Sequence, residues 1–336
     1  MRIGVLGAGT WGIALAALLT TNDHDVTVWS ALPNEIDELG KSGVHKNLPG
    51  IKLPKCINYT KDIKQAAEDK EMILLVVPSS FIRGTTRNLA PYIEDGTILV
   101  TAAKGIESGT LKTMTEVIKD ELSLVRQDLK YSLAALSGPT HAEEVAVGMP
   151  TSIVSACEDE KISAKIAEVF ANSCMRVYTN NDVLGVEICG AMKNIIALAA
   201  GINNGMGLGD NSKAMLMTRG IAEITRLGLA MGCERRTFMG LAGIGDLIVT
   251  CTSRHSRNNR CGELIGKGKS YEEASKEIGM VVEGYYALEA AMELSRKYSV
   301  ELPITEAVYK VIKEGLSPRE AIHTLMTRDL KSELAD

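Results

Sequence analysis

The chain has 336 residues, of which 45% are hydrophobic, 24% charged and 4% aromatic, which suits about two globular domains with a large core. A net charge of −5 argues against nucleic acid as the main partner. Seven scattered cysteines without a CxxC pair suggest reduced cytosolic thiols, not a disulfide or zinc framework; no His or Cys cluster suggests a metal, and no uninterrupted apolar run nears the about 18 residues of a membrane span.

Ile3, Val5 and Leu6 form an apolar run followed directly by GAGTWG at 7–12. This predicts a strand ending at Leu6 and a helix opening near Trp11. Gly7 permits the tight turn, Gly9 lets a phosphate approach the backbone, and Gly12 lets the helix pack on the strand. The helix N-terminus then holds a pyrophosphate through its N–H groups and dipole. With the first strand at the very start, no signal peptide is expected.

Val26–Trp29, Met72–Val77, Ile98–Thr101, Leu133–Leu136 and Thr151–Val154 read as further strands. Helical stretches such as Leu111–Leu122 and Ile162–Ala171 lie between them, the alternation of a parallel sheet covered on both faces. Thr140 and Glu143 read as a capping box, and an antiparallel piece is expected around Met175–Tyr178. From Val183 onward strand-like runs cease. Val183–Ile202 is apolar nearly all round, which predicts a helix buried on most faces. Asn211–Met231 reads as a second long helix stopped by Gly232. Ser317 and Glu320 form another capping box with Pro318 at the first helical position, and Arg328, Lys331 and Glu333 read as an exposed helical face. The fold class is α/β: an N-terminal Rossmann-like, doubly wound, mostly parallel sheet over residues 1–182, the dinucleotide-binding domain, and a C-terminal all-helical domain over 183–336, the substrate and catalytic domain.

Lys193 lies mid-helix among Ile, Ala, Met and Leu, with Glu187 and Asn194 as polar companions. Two readings stand: a general acid or base with an ammonium perturbed by burial, or a stem crossing apolar surface to bring its head to water. Lys104 follows a strand, on the side where ligands bind in such sheets, or is an ordinary loop lysine. Gly138 and Thr140 offer an N–H and a hydroxyl at another strand end, with Thr140 otherwise an N-cap. Asp246 follows a glycine-rich turn, either to orient a catalytic lysine or as a cap. Between Cys251 and Cys261, Arg254, Arg257 and Arg260 with Ser256, Asn258 and Asn259 suit a phosphate monoester, or a solvated basic loop. His255 reads as a surface residue, and Cys189 and Cys251 as packing residues.

GAGTWG, VVPS at 76–79, AAKGI at 102–106, SGPTHAEEV at 137–145, the Lys193-Asn194 pair, LAGIGDLIVTCTS at 241–253, SRN at 256–258 and VVEG at 281–284 together resemble the bacterial NAD(P)-dependent glycerol-3-phosphate dehydrogenases over essentially the full length. The resemblance implies reversible reduction of dihydroxyacetone phosphate to sn-glycerol 3-phosphate, with Lys193 as the general acid in reduction and the base in oxidation. It implies substrate contacts at Lys104, Gly138, Thr140, Lys193, Asp246, Thr250, Ser256, Arg257 and Asn258, with Arg257 and Asn258 on the phosphate. It implies cofactor contacts at Thr10, Trp11, Lys104, Ala142, Arg257, Val281 and Glu283, beside Gly7, Gly9 and Gly12. It further implies a phosphorylated triose as partner, a cytoplasmic homodimer, and a product that feeds glycerophospholipid synthesis.

One departure concerns the ribose. After the second strand an NAD site usually carries Asp or Glu, and an NADP site Arg; positions 30–32 are Ser, Ala and Leu. Ser30 is able to hydrogen-bond either ribose form, so both NAD and NADP stay open. Two other functions compete: a two-domain 3-hydroxyacid or 6-phosphogluconate-type dehydrogenase, which needs a carboxylate site in place of Ser256–Asn258, and a non-catalytic dinucleotide sensor, which needs neither Lys193 nor an anion cluster.

Overall fold

The apolar runs of the first half pair into one sheet: β1 (Arg2–Leu6), β2 (Asp25–Trp29), β3 (Asn58–Thr60), β4 (Met72–Leu75), β5 (Thr97–Thr101), β6 (Tyr131–Ser137), β7 (Thr151–Ala156) and β8 (Met175–Asn180), in the order β3-β2-β1-β4-β5-β6-β7-β8. This is a computed structural model that describes residues 1–330, 332 and 333. The first six strands are mutually parallel, with Val5 opposite Val28 on one side and Leu74 on the other. Strands β4 and β5 are buried along their whole length, which explains their continuous rather than alternating apolar sequence. The strand order reverses between β1 and β4, and in doubly wound sheets that switch point is where ligands bind, beyond the carboxyl ends of the strands.

The helices of this unit are α1 (Thr10–Thr21), α2 (Pro33–Ser42), α3 (Ile82–Leu89), α4 (Met114–Val125), α5 (Ala142–Ala146) and α6 (Glu160–Phe170). The unit comprises Met1–Lys104 and Lys112–Val183; a second unit comprises Gly105–Leu111 and the chain from Leu184 onward.

Several local expectations are corrected. The predicted 175–178 strand exists, but it runs parallel to β7, and the reversal falls one strand earlier, between β6 and β7. The helix expected from Leu111 starts at Met114, because Leu111 sits at φ +60° and Thr113 with Glu116 forms the capping box. The box expected at Thr140 and Glu143 does not form. Helix α5 is capped at His141 without a side-chain bond, and the Thr140 hydroxyl turns back to the Gly138 carbonyl at 3.2 Å. Strand β3 carries only three residues and a polar sequence, so periodicity did not announce it.

The second unit is helical: α7 (Val183–Gly205), α8 (Asp210–Ala230), α9 (Arg235–Phe238), a wide π-type turn at Leu241–Gly245, α10 (Asp246–Thr252), α11 (Arg257–Gly266), α12 (Tyr271–Ile278), α13 (Glu283–Tyr298), α14 (Pro303–Lys313) and α15 (Pro318–Met326). The Ser317 capping box opens α15 as expected. That helix ends at Met326, so Arg328 is not helical; it pairs with Glu301 at 2.9 Å. Glu333 lies in an exposed turn, and Lys331 lies outside the described residues.

Helix α7 is the hub. By length and composition it is apolar enough to cross a membrane, yet it is almost wholly buried. Glycines allow its neighbours to approach this closely. A Cβ on Gly262 of α11 would lie 2.2 Å from the Leu198 carbonyl oxygen, and one on Gly201 of α7 would lie 2.0 Å from the Asn259 carbonyl oxygen. Gly284, at the start of α13, has the same relation to the Asn194 carbonyl oxygen at 2.6 Å. Small residues at these crossings bring the N-termini of α11 and α13 against the middle of α7.

Candidate active site

In the first unit the glycine turn has the geometry its sequence implied. Gly7 adopts φ +125°, and a Cβ there would strike the Val76–Val77 backbone at 2.9 Å. A Cβ on Gly12 would lie 1.9 Å from the Gly7 carbonyl oxygen, while one on Gly9 meets nothing within 4 Å. Gly9 is the N-cap of α1 and offers no side-chain cap, so the first-turn N–H groups, with Thr10 and Trp11 beside them, face an open approach. An open cradle at a long helix N-terminus fits a pyrophosphate, and the residues present therefore fit a dinucleotide.

Around this turn lies a ring of polar contacts. Gly7 N–H donates to the Trp29 carbonyl at 2.9 Å, which holds the end of β2 against the turn. Ser30 Oγ donates to Glu35 Oε2 at 2.8 Å and accepts the Leu32 N–H at 3.1 Å. Asn47 Nδ2 donates to Thr10 Oγ1 at 3.4 Å. His45 is buried and bonds the Ala8 backbone; desolvation holds its pKa below the ordinary value, and its Nδ1 accepts the Asn47 N–H at 3.1 Å.

At the ends of β5 and β6 three residues converge. Lys104 Nζ donates to the Gly138 carbonyl at 3.1 Å, and the Thr140 hydroxyl shares that acceptor. The neighbouring Ser137 hydroxyl is buried without a hydrogen-bond partner. Ala142, buried, is the first residue of α5.

In the second unit Lys193 is only 6% exposed, so its head does not reach water along an apolar face. It donates to Asp246 Oδ1 at 2.5 Å and to Thr250 Oγ1 at 2.7 Å. The Thr250 hydroxyl in turn donates to the Asp246 backbone carbonyl at 2.6 Å. Asp246 and Thr250 are four residues apart on α10 and thus share one face. The glycine-rich turn at Leu241–Gly245 brings Asp246 to the start of that helix, as a buried partner and not as a side-chain cap. The ammonium and carboxylate compensate each other's burial. Beside them burial pushes the Cys251 thiol up to about 12, against the opposing pull of the Lys193 charge, so this thiol stays neutral and is a packing group.

The SRN segment opens α11. Ser256 is its N-cap and accepts the Asn259 N–H at 3.2 Å. Arg257, half-buried, is the first helical residue, whereas Arg254, His255 and Arg260 are exposed. Asn258 is committed to the fold: its Nδ2 donates to Asn194 Oδ1 at 2.9 Å and its Oδ1 accepts the Gly284 N–H at 2.9 Å. One amide thus joins α7, α11 and α13. Asn259 Nδ2 donates to the Cys251 carbonyl at 2.7 Å, tying α11 to α10. Val281 and Glu283 flank the start of α13.

The family model for the N-terminal part of NAD-dependent glycerol-3-phosphate dehydrogenase matches residues 2–163, and the model for its C-terminal part matches residues 182–323. The chain is 57% identical to a glycerol-3-phosphate dehydrogenase [NAD(P)+] of Lactobacillus delbrueckii subsp. bulgaricus, over 99% of both chains. The chain belongs to the NAD-dependent glycerol-3-phosphate dehydrogenase family. A Fusobacterium nucleatum member is 48% identical over 99% of each chain. The crystal structure of the Coxiella burnetii glycerol-3-phosphate dehydrogenase superposes with a TM-score of 0.92 at 36% identity, covering 97% of this chain and 99% of that one. The resemblance carried by the motifs therefore holds, and membership of this family sets aside the 3-hydroxyacid, 6-phosphogluconate-type and sensor readings.

Sequence reasoning passed over Glu35, His45 and Asn47 at the glycine turn and Ser137 at the end of β6. Glu35 had a visible signal, a carboxylate in the first turn of the helix after β2. Asn47 and His45 lie in a loop with no pattern to mark them.

Proposed function

We propose that the protein interconverts dihydroxyacetone phosphate and sn-glycerol 3-phosphate with a nicotinamide dinucleotide. The observation that carries this reading is the buried Lys193, held by Asp246 and Thr250. The bound nicotinamide supplies or accepts the hydride. In reduction, Lys193 donates a proton to the carbonyl oxygen; in oxidation it takes the hydroxyl proton back. Its charge stabilises the developing alkoxide, and Asp246 with Thr250 holds the ammonium in position.

Arg257, with Ser256 and Asn258 at the N-terminus of α11, is assigned to the substrate phosphate, where a guanidinium fork and helix N–H groups are well suited. Phosphate binding supplies remote energy that positions the reacting carbon. Lys104, Gly138 and Thr140 are assigned to substrate, with Lys104 also on the nicotinamide side. Gly7, Gly9, Thr10, Trp11, Gly12, Ser30, Ala142, Arg257, Val281 and Glu283 are assigned to the dinucleotide. Residues 1–182 then form the dinucleotide-binding domain and 183–336 the substrate and catalytic domain. We assign the enzyme to the cytoplasm as a homodimer whose product feeds glycerophospholipid synthesis.

Mixing the protein with dihydroxyacetone phosphate and NADH or NADPH, while following the nicotinamide absorbance, tests the reading. A steady loss of absorbance that requires the phosphorylated ketone supports it. No turnover with either cofactor overturns it.

A further inference from the structure

The ribose discriminator missing from positions 30–32 is supplied from another place. Glu35, in the first turn of α2, folds back to the end of β2, where Ser30 Oγ holds its Oε2 at 2.8 Å. The side chain is 24% exposed, and its Oε1 faces Lys46 Nζ at 4.0 Å, beyond hydrogen-bond reach. The Gly7 N–H bond to the Trp29 carbonyl holds the end of β2, and with it Ser30, against the glycine turn, and the Glu35 charge acts on His45, which bonds the Ala8 backbone of that turn. In dinucleotide folds the end of β2 is where the adenosine ribose lies.

One ammonium, that of Lys46, pairs with the carboxylate from the solvent side. His45 is kept neutral by burial, and Lys46 is a largely exposed ammonium, screened by water. The chain contains no arginine between Arg2 and Arg83, so the bidentate fork that suits a 2′-phosphate is missing from the whole segment that forms this corner.

We propose that Glu35, oriented by Ser30, reads the adenosine ribose: its carboxylate accepts the 2′-hydroxyl of NAD(H) and repels the 2′-phosphate of NADP(H), which makes this chain NAD-selective. The proposal rests on the dinucleotide reading above and adds the selection between the two cofactors.

Direct titration of NADH and NADPH, by nicotinamide fluorescence at low ionic strength, together with kcat/KM for each cofactor, tests it on the wild type, Glu35→Gln and Ser30→Ala. The wild type is expected to favour NADH by at least about tenfold. Glu35→Gln is expected to shrink that ratio about tenfold, mainly through tighter NADPH binding, and Ser30→Ala to shrink it less, because the carboxylate stays but loses its orientation. A wild type that favours NADPH, or an unchanged ratio in Glu35→Gln, overturns the role of Glu35 while leaving the dehydrogenase reading intact. Selective NADH binding without any turnover supports the role of Glu35 while removing the dehydrogenase reading. Binding of neither dinucleotide overturns both.

Discussion

A lysine surrounded by Ile195, Ile196, Met192 and Ala191, all fully buried, would strongly destabilise the fold if its ammonium had no counter-charge. Asp246 supplies one at 2.5 Å. Replacing Asp246 by Asn is therefore expected to lower both kcat and thermal stability, since breaking a buried pair costs about 3–5 kcal/mol; a variant that melts with the wild type would show that the pair contributes little. Arg257→Ala is expected to raise KM for dihydroxyacetone phosphate strongly and to affect kcat less, as loss of remote binding does. Unchanged KM would place the phosphate elsewhere. Lys193 was legible because its residue type clashes with its helix. Its partnership with Asp246 stood as one of two readings, and its bond to Thr250 had no signal, because no local spacing links positions on two helices with a long stretch of chain between them. Asn258 shows another limit: nothing in the local pattern announced that its side-chain amide joins Asn194 and Gly284, and its assignment to the phosphate stays a proposal.

The packing of α7 against α11 is set by glycines on both helices. Adding one methyl at Gly262 requires the backbones to separate, because the Leu198 carbonyl oxygen would lie 2.2 Å from it. Gly262→Ala is expected to destabilise the protein by about 3 kcal/mol, at the high end of overpacking, and to weaken phosphate-dependent KM because α11 carries Ser256 and Arg257. Urea unfolding and kinetics on the same variant check both parts. Helix α8 contacts α14 through Glu223, whose carboxylate accepts the Ile304 N–H at 2.6 Å and the Thr305 N–H at 3.2 Å. Desolvation, only partly offset by these bonds, pushes its pKa to about 7. The folded state therefore holds this proton more tightly than the unfolded chain. The stabilisation is complete below about 4.5 and is lost as pH rises through about 7, on the order of 3 kcal/mol. Glu223→Gln is expected to flatten this part of the stability–pH curve; equal slopes in the two proteins between these limits would remove Glu223 as the source. The long helices and the capping box at Ser317 were legible from periodicity and cap chemistry. The glycine crossings were not, since a glycine inside a helix looks the same whether it faces solvent or another backbone.

At the scale of the whole chain, the change from alternating strands to continuous helix near residue 182 falls beside the Val183–Leu184 division, because parallel sheets and helical bundles impose different hydrophobic periods; the segment Gly105–Leu111, which belongs to the second unit, carried no such mark. The short polar strand β3 and the parallel direction of β8 against β7 escaped notice, since both depend on neighbours far along the chain. Each unit carries its own chemistry: an open glycine cradle on one, and a buried lysine with a helix N-terminus bearing Arg257 on the other. The proposed homodimer predicts the mass of two chains by light scattering at micromolar concentration, and the mass of one chain would contradict it.

In the proposed reaction Lys193 delivers the proton during reduction of dihydroxyacetone phosphate. The most direct test is nicotinamide oxidation by the wild type and by Lys193→Ala, side by side, with dinucleotide binding measured on both. The wild type is expected to turn over, and the variant to bind dinucleotide almost normally while losing about 10²–10⁴-fold in kcat. A fully active Lys193→Ala would remove Lys193 as the proton donor.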